Sequence, residues 1–296
     1  MAPHSSDLIS ARSERRRSLS LRRTATVVAS LAASVLLVAP MAAALQGPVS
    51  ARKATPQNDQ LKGTVRSEMI DAKAGNDLVY ARGGDDLVKG QIGNDLLYGG
   101  PGNDQLLLHD GDDTGFGGPD NDRIIGAAGN DQLWGEDGND FLLGVFGDDL
   151  LDGGLGDDQL QGMDGNDRVI GGEGNDHVSG ALGDDWVDGG PGIDELDGGL
   201  GNDILIDGDG DDQVTGDEGN DILFVGTGAD EIFSEQGDDI IYLFDDGVRD
   251  NIYCHDGYDQ IIYVGSIDPL DNLGGSFAYK CESMASQEFA PANWPY

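Results

Sequence analysis

From Val79 to Ile241 an aliphatic side chain returns at every ninth position, through Val88, Leu97, Leu106, Ile124, Leu133 and their successors, with Gly115 the single exception. Two residues before each of these positions stands an Asp, from Asp77 to Asp239 without a miss, giving 19 units in strict register. Two residues before the Asp stands Gly, Asp120 being the one departure, and between them stands Asn or Asp except at Ile193 and Ala229. Asn and Asp are the non-glycine residues that best tolerate left-handed turn geometry. Each unit therefore predicts a tight turn of about six residues followed by a strand of about three, too short to stand alone. Such strands become stable only by stacking on their neighbours, so the period predicts a repeat solenoid.

Runs such as Gly99-Gly100-Pro101-Gly102-Asn103-Asp104-Gln105-Leu106-Leu107 and Gly171-Gly172-Glu173-Gly174-Asn175-Asp176-His177-Val178-Ser179 resemble the hemolysin-type (RTX) nonapeptide repeat, a pattern associated with calcium. The resemblance implies an all-β fold: a right-handed parallel β-roll, or β-solenoid, with two repeats (18 residues) per coil and calcium ions in the turns. Elementary chemistry agrees with it. Calcium is a hard cation that takes six to eight oxygens, and a glycine-rich turn exposes carbonyls while the adjacent Asp adds a carboxylate. Stacked coils lie about 4.8 Å apart, so turns 18 residues apart can share an ion. The expected metal ligands are thus Asp77, Asp95, Asp113, Asp131, Asp149, Asp167, Asp185, Asp203, Asp221 and Asp239 on one edge. On the other edge they are Asp86, Asp104, Asp122, Asp140, Asp158, Asp176, Asp194, Asp212 and Asp230.

Charge sharpens this picture. The 296 residues carry 48 Gly and a formal charge of −39, and the six arginines before residue 24 account for over a third of the 17 basic residues. Those arginines precede an uncharged run, Thr24–Ala44, ending in small residues: the layout of a secretory signal with Ala42 and Ala44 at the exit. Residues 1–44 are therefore expected to be a signal peptide, with an uncleaved membrane anchor as the alternative, since about 21 apolar residues can span a bilayer. Pro40 and the Ala/Ser/Thr content favour cleavage, which leaves no membrane span in the mature chain. Arg16-Arg17-Ser18-Leu19 only faintly resembles a twin-arginine motif. Cleavage would leave a chain of about −43, which excludes nucleic acid and anionic lipid as partners, because both require basic patches. One ion per pair of like-edge turns gives about 17 calcium sites and brings the charge to about −9.

Residues 45–63 read as a flexible leader, 64–264 as the β-roll and 265–296, with Phe277, Tyr279, Phe289 and Trp294, as a C-terminal cap. Glu68 and Ile70 keep the phase without a full turn motif. Asp250 and Asp259 precede Ile252 and Ile261 by two but follow an eleven-residue step after Asp239, which suggests degenerate closing coils. Cys254 and Cys281, in an exported chain, favour a disulfide over two free thiols.

Catalytic residues are not expected. The four His (His4, His109, His177, His255) are scattered, and no nucleophile triad, H-E-x-x-H or phosphate loop occurs. A threonine ladder of the ice-binding kind is also missing. The reading is an extracellular or cell-wall-associated calcium-binding repeat protein, not an enzyme, whose roll folds on calcium and serves as a structural or interaction module. The alternative is a cell-surface adhesin or polysaccharide-binding protein, and a remote one an accessory module of a secreted enzyme. The adhesin alternative rests on one outer face, where Tyr80, Tyr98, Phe116 and Trp134 follow one another at 18-residue spacing. Large apolar patches mark sites for a partner or for self-association.

Overall fold

The computed structural model describes residues 54–244, 246–264, 272–273, 281 and 283–287. The expected signal, residues 1–44, lies outside them. Among the described residues every regular element is a strand. Thirteen strands pair in parallel in one sheet and twelve in a second, and the chain alternates between the two sheets at every strand. Partners are 18 residues apart along most of the stack, as in Val88 with Leu106, Leu106 with Ile124 and Leu142 with Leu160. The result is a parallel β-solenoid of two repeats per coil.

The aliphatic residue of the repeat points inward and is buried, forming a column from Leu61 and Ile70 through Val79, Leu133 and Val187 to Ile261. Where the column has its one gap, at Gly115, the space is filled from the opposite sheet by Leu108, which stands in a slot that is glycine in most repeats. The strands are longer than the period suggested. Most cover six residues, such as Gln105–Asp110 and Gln159–Asp164, because the ladder of hydrogen bonds continues round the bend. The turn proper is then the Gly-Asn-Asp triplet.

The reason for the Asn/Asp slot also differs from the sequence expectation. None of the residues there has a positive φ; left-handed geometry falls, in most repeats, one residue earlier, as at Gly93 (φ 127°), and five residues after the Asp, as at Val145 (φ 103°). The slot instead supplies an acceptor. Asn76 Oδ1 takes the Asn94 N–H at 3.2 Å, and Asn130 Oδ1 the Asp148 N–H at 3.2 Å, in a chain of bonds between successive coils.

The roll begins before residue 64. Gln60–Lys62, inside the stretch expected as a leader, is a strand paired with Leu78–Tyr80, and Leu61 is buried. Thr55 closes this end by donating its N–H and hydroxyl to Asp59 at 2.6 and 2.8 Å. At the other end, the extra two residues between Asp239 and Asp250 are absorbed in a loop, and the register resumes at a 20-residue offset, Ile232 with Ile252 and Ile241 with Ile261. Within the expected cap, Asn272–Leu273 and Ser283–Gln287 add one more parallel strand to each sheet instead of lying across the end. The remainder of 265–296 lies outside the described residues, apart from Cys281, which is bonded to Cys254.

Candidate metal sites along the two turn edges

All nineteen Asp of the repeat are buried, at most 4% exposed, although they stand at turns. The strand alternation explains it: the Asp precedes an outward residue and an inward aliphatic, so its side chain folds in beneath the turn. There one carboxylate oxygen has a fixed partner. Oδ1 of each Asp accepts the backbone N–H of the Asp one coil earlier, at 2.6 to 2.9 Å, in two continuous ladders. The first ladder runs from Asp77 to Asp239 and the second from Asp86 to Asp230, the division expected from the 18-residue coil. Both ladders extend past the strict repeat. Asp59 and Glu68 donate to Asp77 and Asp86, and Asp230 and Asp239 donate to Asp250 and Asp259.

The second oxygen is different. Oδ2 has no hydrogen-bond partner from Asp77 through Asp230, and it is shielded from solvent. Where the residue five places earlier in the same half-coil is glycine, Oδ2 rests against it. A Cβ on Gly153 would collide with Asp158 Oδ2 and with the Gly171 carbonyl; one on Gly198 would lie 2.7 Å from Asp203 Oδ2 and 2.9 Å from the Gly216 carbonyl. Over most such glycines, Gly90, Gly135 and Gly171 among them, a carboxylate oxygen and a carbonyl oxygen of the next coil converge. This second inward glycine, four places after the Asp in most repeats, was not singled out by the sequence. Its φ is ordinary at Gly153 and Gly198, so it is kept for space.

A buried, unpartnered carboxylate oxygen beside a backbone carbonyl is an oxygen-only environment with net negative charge. That donor set fits a hard divalent cation and offers nothing to a soft one, which selects sulfur or imidazole. The family model for the RTX calcium-binding nonapeptide repeat matches residues 62–97, 83–115, 116–151, 152–187, 188–223 and 215–243. The chain belongs to that family. No curated protein matches it. As RTX repeats, residues 62–243 form a calcium-binding module, and such a roll is structural, not catalytic.

The electrostatics of the RTX ladders follow from burial. The Asp104 carboxyl is pushed up to about 7, chiefly because it is removed from water; the Asp86 N–H pulls it back, and the charges of Asp86, Asp85 and Asp120 push it further. Asp122 and Asp149 reach about 8 for the same reasons. Farther out, Asp157 and Asp184 are fully exposed and their carboxyls are held low, first by the N–H groups of Asn175 and Asn202. Charge is thus costly in the inner row and comfortable in the outer row. A shallow groove of about 620 Å³ follows the second edge past Asp158, Asp176, Asp194 and Asp212. His177 lies there with its Nδ1 3.1 Å from Glu195 Oε2, both side chains at the surface.

Among the described residues one further group of acids meets the geometry of a metal site: Asp207, Asp212 and Asp230. Asp212 and Asp230 are ladder residues, but Asp207 was missed by the sequence reading. It occupies the inward slot that Gly198 and Gly216 hold in the flanking half-coils.

Proposed function

We propose that this protein is an exported, extracellular or cell-wall-associated β-roll that folds on binding calcium through Asp77 to Asp239 and acts as a structural or interaction module without catalysis. The observation that carries the reading is the row of buried Oδ2 atoms that lack any donor, one per repeat from Asp77 to Asp230. The layout of residues 1–44 as a signal supports export, and a calcium-rich exterior suits weak sites with dissociation constants on the order of 10⁻⁴–10⁻³ M. Equilibrium dialysis of the chain at pH 7.5 in millimolar calcium is expected to find about 17 ions per molecule, one for each like-edge pair of turns. Uptake of only one or two would exclude the ladders as ligands.

A local test separates ligand loss from general damage. Asp158→Ala removes one carboxylate, and Gly153→Ala drives a methyl group into the place of that carboxylate's free oxygen. Each is expected to cost about 1–3 kcal/mol and to raise the calcium midpoint of folding. The double variant should be hardly worse than Gly153→Ala alone, because both remove the same carboxylate site while the clash with the Gly171 carbonyl is already present in that single variant. An unchanged midpoint in Asp158→Ala would remove that residue from the ligand set.

A second reading, a face for a polysaccharide, a cell surface or a second copy of the chain, is favoured by the apolar outer sheet. Tyr80, Tyr98, Phe116 and Trp134 stack at centroid distances of 4.9, 4.9 and 4.7 Å, nearly parallel. Their faces are therefore taken by one another, and a partner would meet ring edges along the column. Farther along, Asp152 and Asp188 interrupt this face, with Arg168 lying over the Trp186 ring at 5.3 Å. Co-sedimentation with cell-wall polysaccharide that is lost when Tyr98, Phe116 and Trp134 are all changed to Ser would favour this reading.

A further inference from the structure

Asp207 breaks the rule of the inner lining. The slot four residues after the repeat Asp is glycine in most repeats and is Ala, Leu, Val or Ser in most others, as at Ala81, Leu108, Val225 and Ser234. Asp207 alone among those of the nineteen repeats puts an ionisable group there, and it is 0% exposed. Its Oδ1 accepts the N–H groups of Gly208 and, from the next coil, Gly226, both at 2.7 Å. Its Oδ2 has no hydrogen-bond partner, and neither have Oδ2 of Asp212 and Oδ2 of Asp230. One carboxylate oxygen from each of the three lies within 4.8 Å of the others. Calcium holds its oxygens at 2.3–2.6 Å, so opposite ligands of one ion stand about 4.6–5.2 Å apart, and the three oxygens fit inside a single coordination shell.

We infer that Asp207 converts the turn pair Asp212/Asp230 into a three-carboxylate site that holds one divalent cation of the calcium class more tightly than the other turns of the roll. The inference rests on the proposal that the ladders bind calcium, and it makes one site unlike the rest. Affinity in oxygen-ligated calcium sites rises with the number of charged ligands and with rigidity. Here the third carboxylate is already fixed by two backbone donors, so little ordering remains to be done when the ion arrives. The competing explanation is that Asp207 merely satisfies the N–H groups of Gly208 and Gly226, for which a neutral amide oxygen would serve equally.

The test uses the full chain, loaded with calcium and dialysed against calcium buffers of falling free concentration, with retained metal counted. The parent is expected to keep one equivalent at a free calcium at least tenfold below the midpoint for the others. Asp207→Gly restores the residue common to this slot and should fold; Asp207→Asn keeps an oxygen acceptor without the charge. Both are expected to lose the tight equivalent and retain the weaker ones. A tight equivalent that survives in Asp207→Asn, or a parent whose ions all leave together, overturns the inference while leaving calcium binding by the ladders intact. A parent that takes up no calcium at all overturns the ladders and this site together.

Discussion

Stripped of calcium at pH 7.5, the chain is expected to lose most of its far-ultraviolet β-sheet signal, and to regain it cooperatively when calcium returns to the millimolar range. The cause is the inner row of carboxylates. Each repeat from Asp77 to Asp230 buries an oxygen with no donor, and a buried polar atom without a partner costs about 1–3 kcal/mol, more when charged. Eighteen such atoms outweigh by severalfold the roughly 5–15 kcal/mol net stability of an ordinary folded domain. The hydrophobic column cannot compensate, because only one large aliphatic per nine residues is regularly inside. A divalent cation bridging successive turns would remove the orphaned atoms and the like-charge repulsion at once, and its binding energy would then become folding energy. Since each coil touches only its neighbours, loss of an ion should weaken the adjacent coils too, the coil around Asp207, Asp212 and Asp230 being the last to release its ion. Circular dichroism in chelator and then in calcium measures this directly. A chain that keeps its full β-sheet signal in chelator would show that the rows are stable without metal.

Much of this architecture was legible because the repeat is short and regular. A nine-residue period in Asp and in the aliphatic residue fixes the number of residues per coil once two repeats share one, and it assigns each Asp to an edge; the two ladders follow that assignment. What was not legible lay where the signal is absence. The second inward slot is usually glycine, which adds nothing to a hydrophobic pattern, so the close approach of Asp158 to Gly153 could be found only in three dimensions. Asp207 is one acid in a chain with 56 acidic residues; only its place in the glycine slot marks it. The start of the roll did leave a trace that was overlooked: Asn58, Asp59 and Leu61 keep the motif's spacing, but Gln57 stands where glycine is expected. Asn and Asp before the ladder residue were explained by turn tolerance, whereas the structure uses their side chains as acceptors between coils. Both explanations predict the same residues, and no sequence pattern separates them.

The same buried carboxylates give the metal-free chain an inverted response to acid. Burial pushes Asp122, Asp149, Asp212 and Asp221 up to about 8, against an ordinary value of 3.8; a backbone N–H from the preceding coil pulls each back, and neighbouring ladder carboxylates push again. Asp86, Asp104, Asp113 and Asp158 are raised to about 7 by the same causes. Between about pH 4 and pH 8 the folded roll therefore holds more protons than the unfolded chain, so its stability falls as pH rises through this window and is fully present only below it. Most proteins lose stability on acidification through paired carboxylates; here protonation supplies the buried oxygens with the donor that the ion would otherwise make unnecessary. In calcium-free buffer, lowering the pH from 8 to 5 is expected to restore β-sheet signal without any metal, above the sequence pI of about 4.1 where the chain stays charged. With calcium present the sign reverses, since protons compete with the ion for the same oxygens and acid should then release metal. Paired pH titrations by circular dichroism, one in chelator-washed buffer and one in millimolar calcium, are expected to show sheet signal rising toward pH 5 in the first and calcium content falling in the second. A metal-free chain that remains unstructured from pH 8 to pH 5 would mean that removing the buried charge is not enough, and that the bridging of coils by the ion is what holds the roll together.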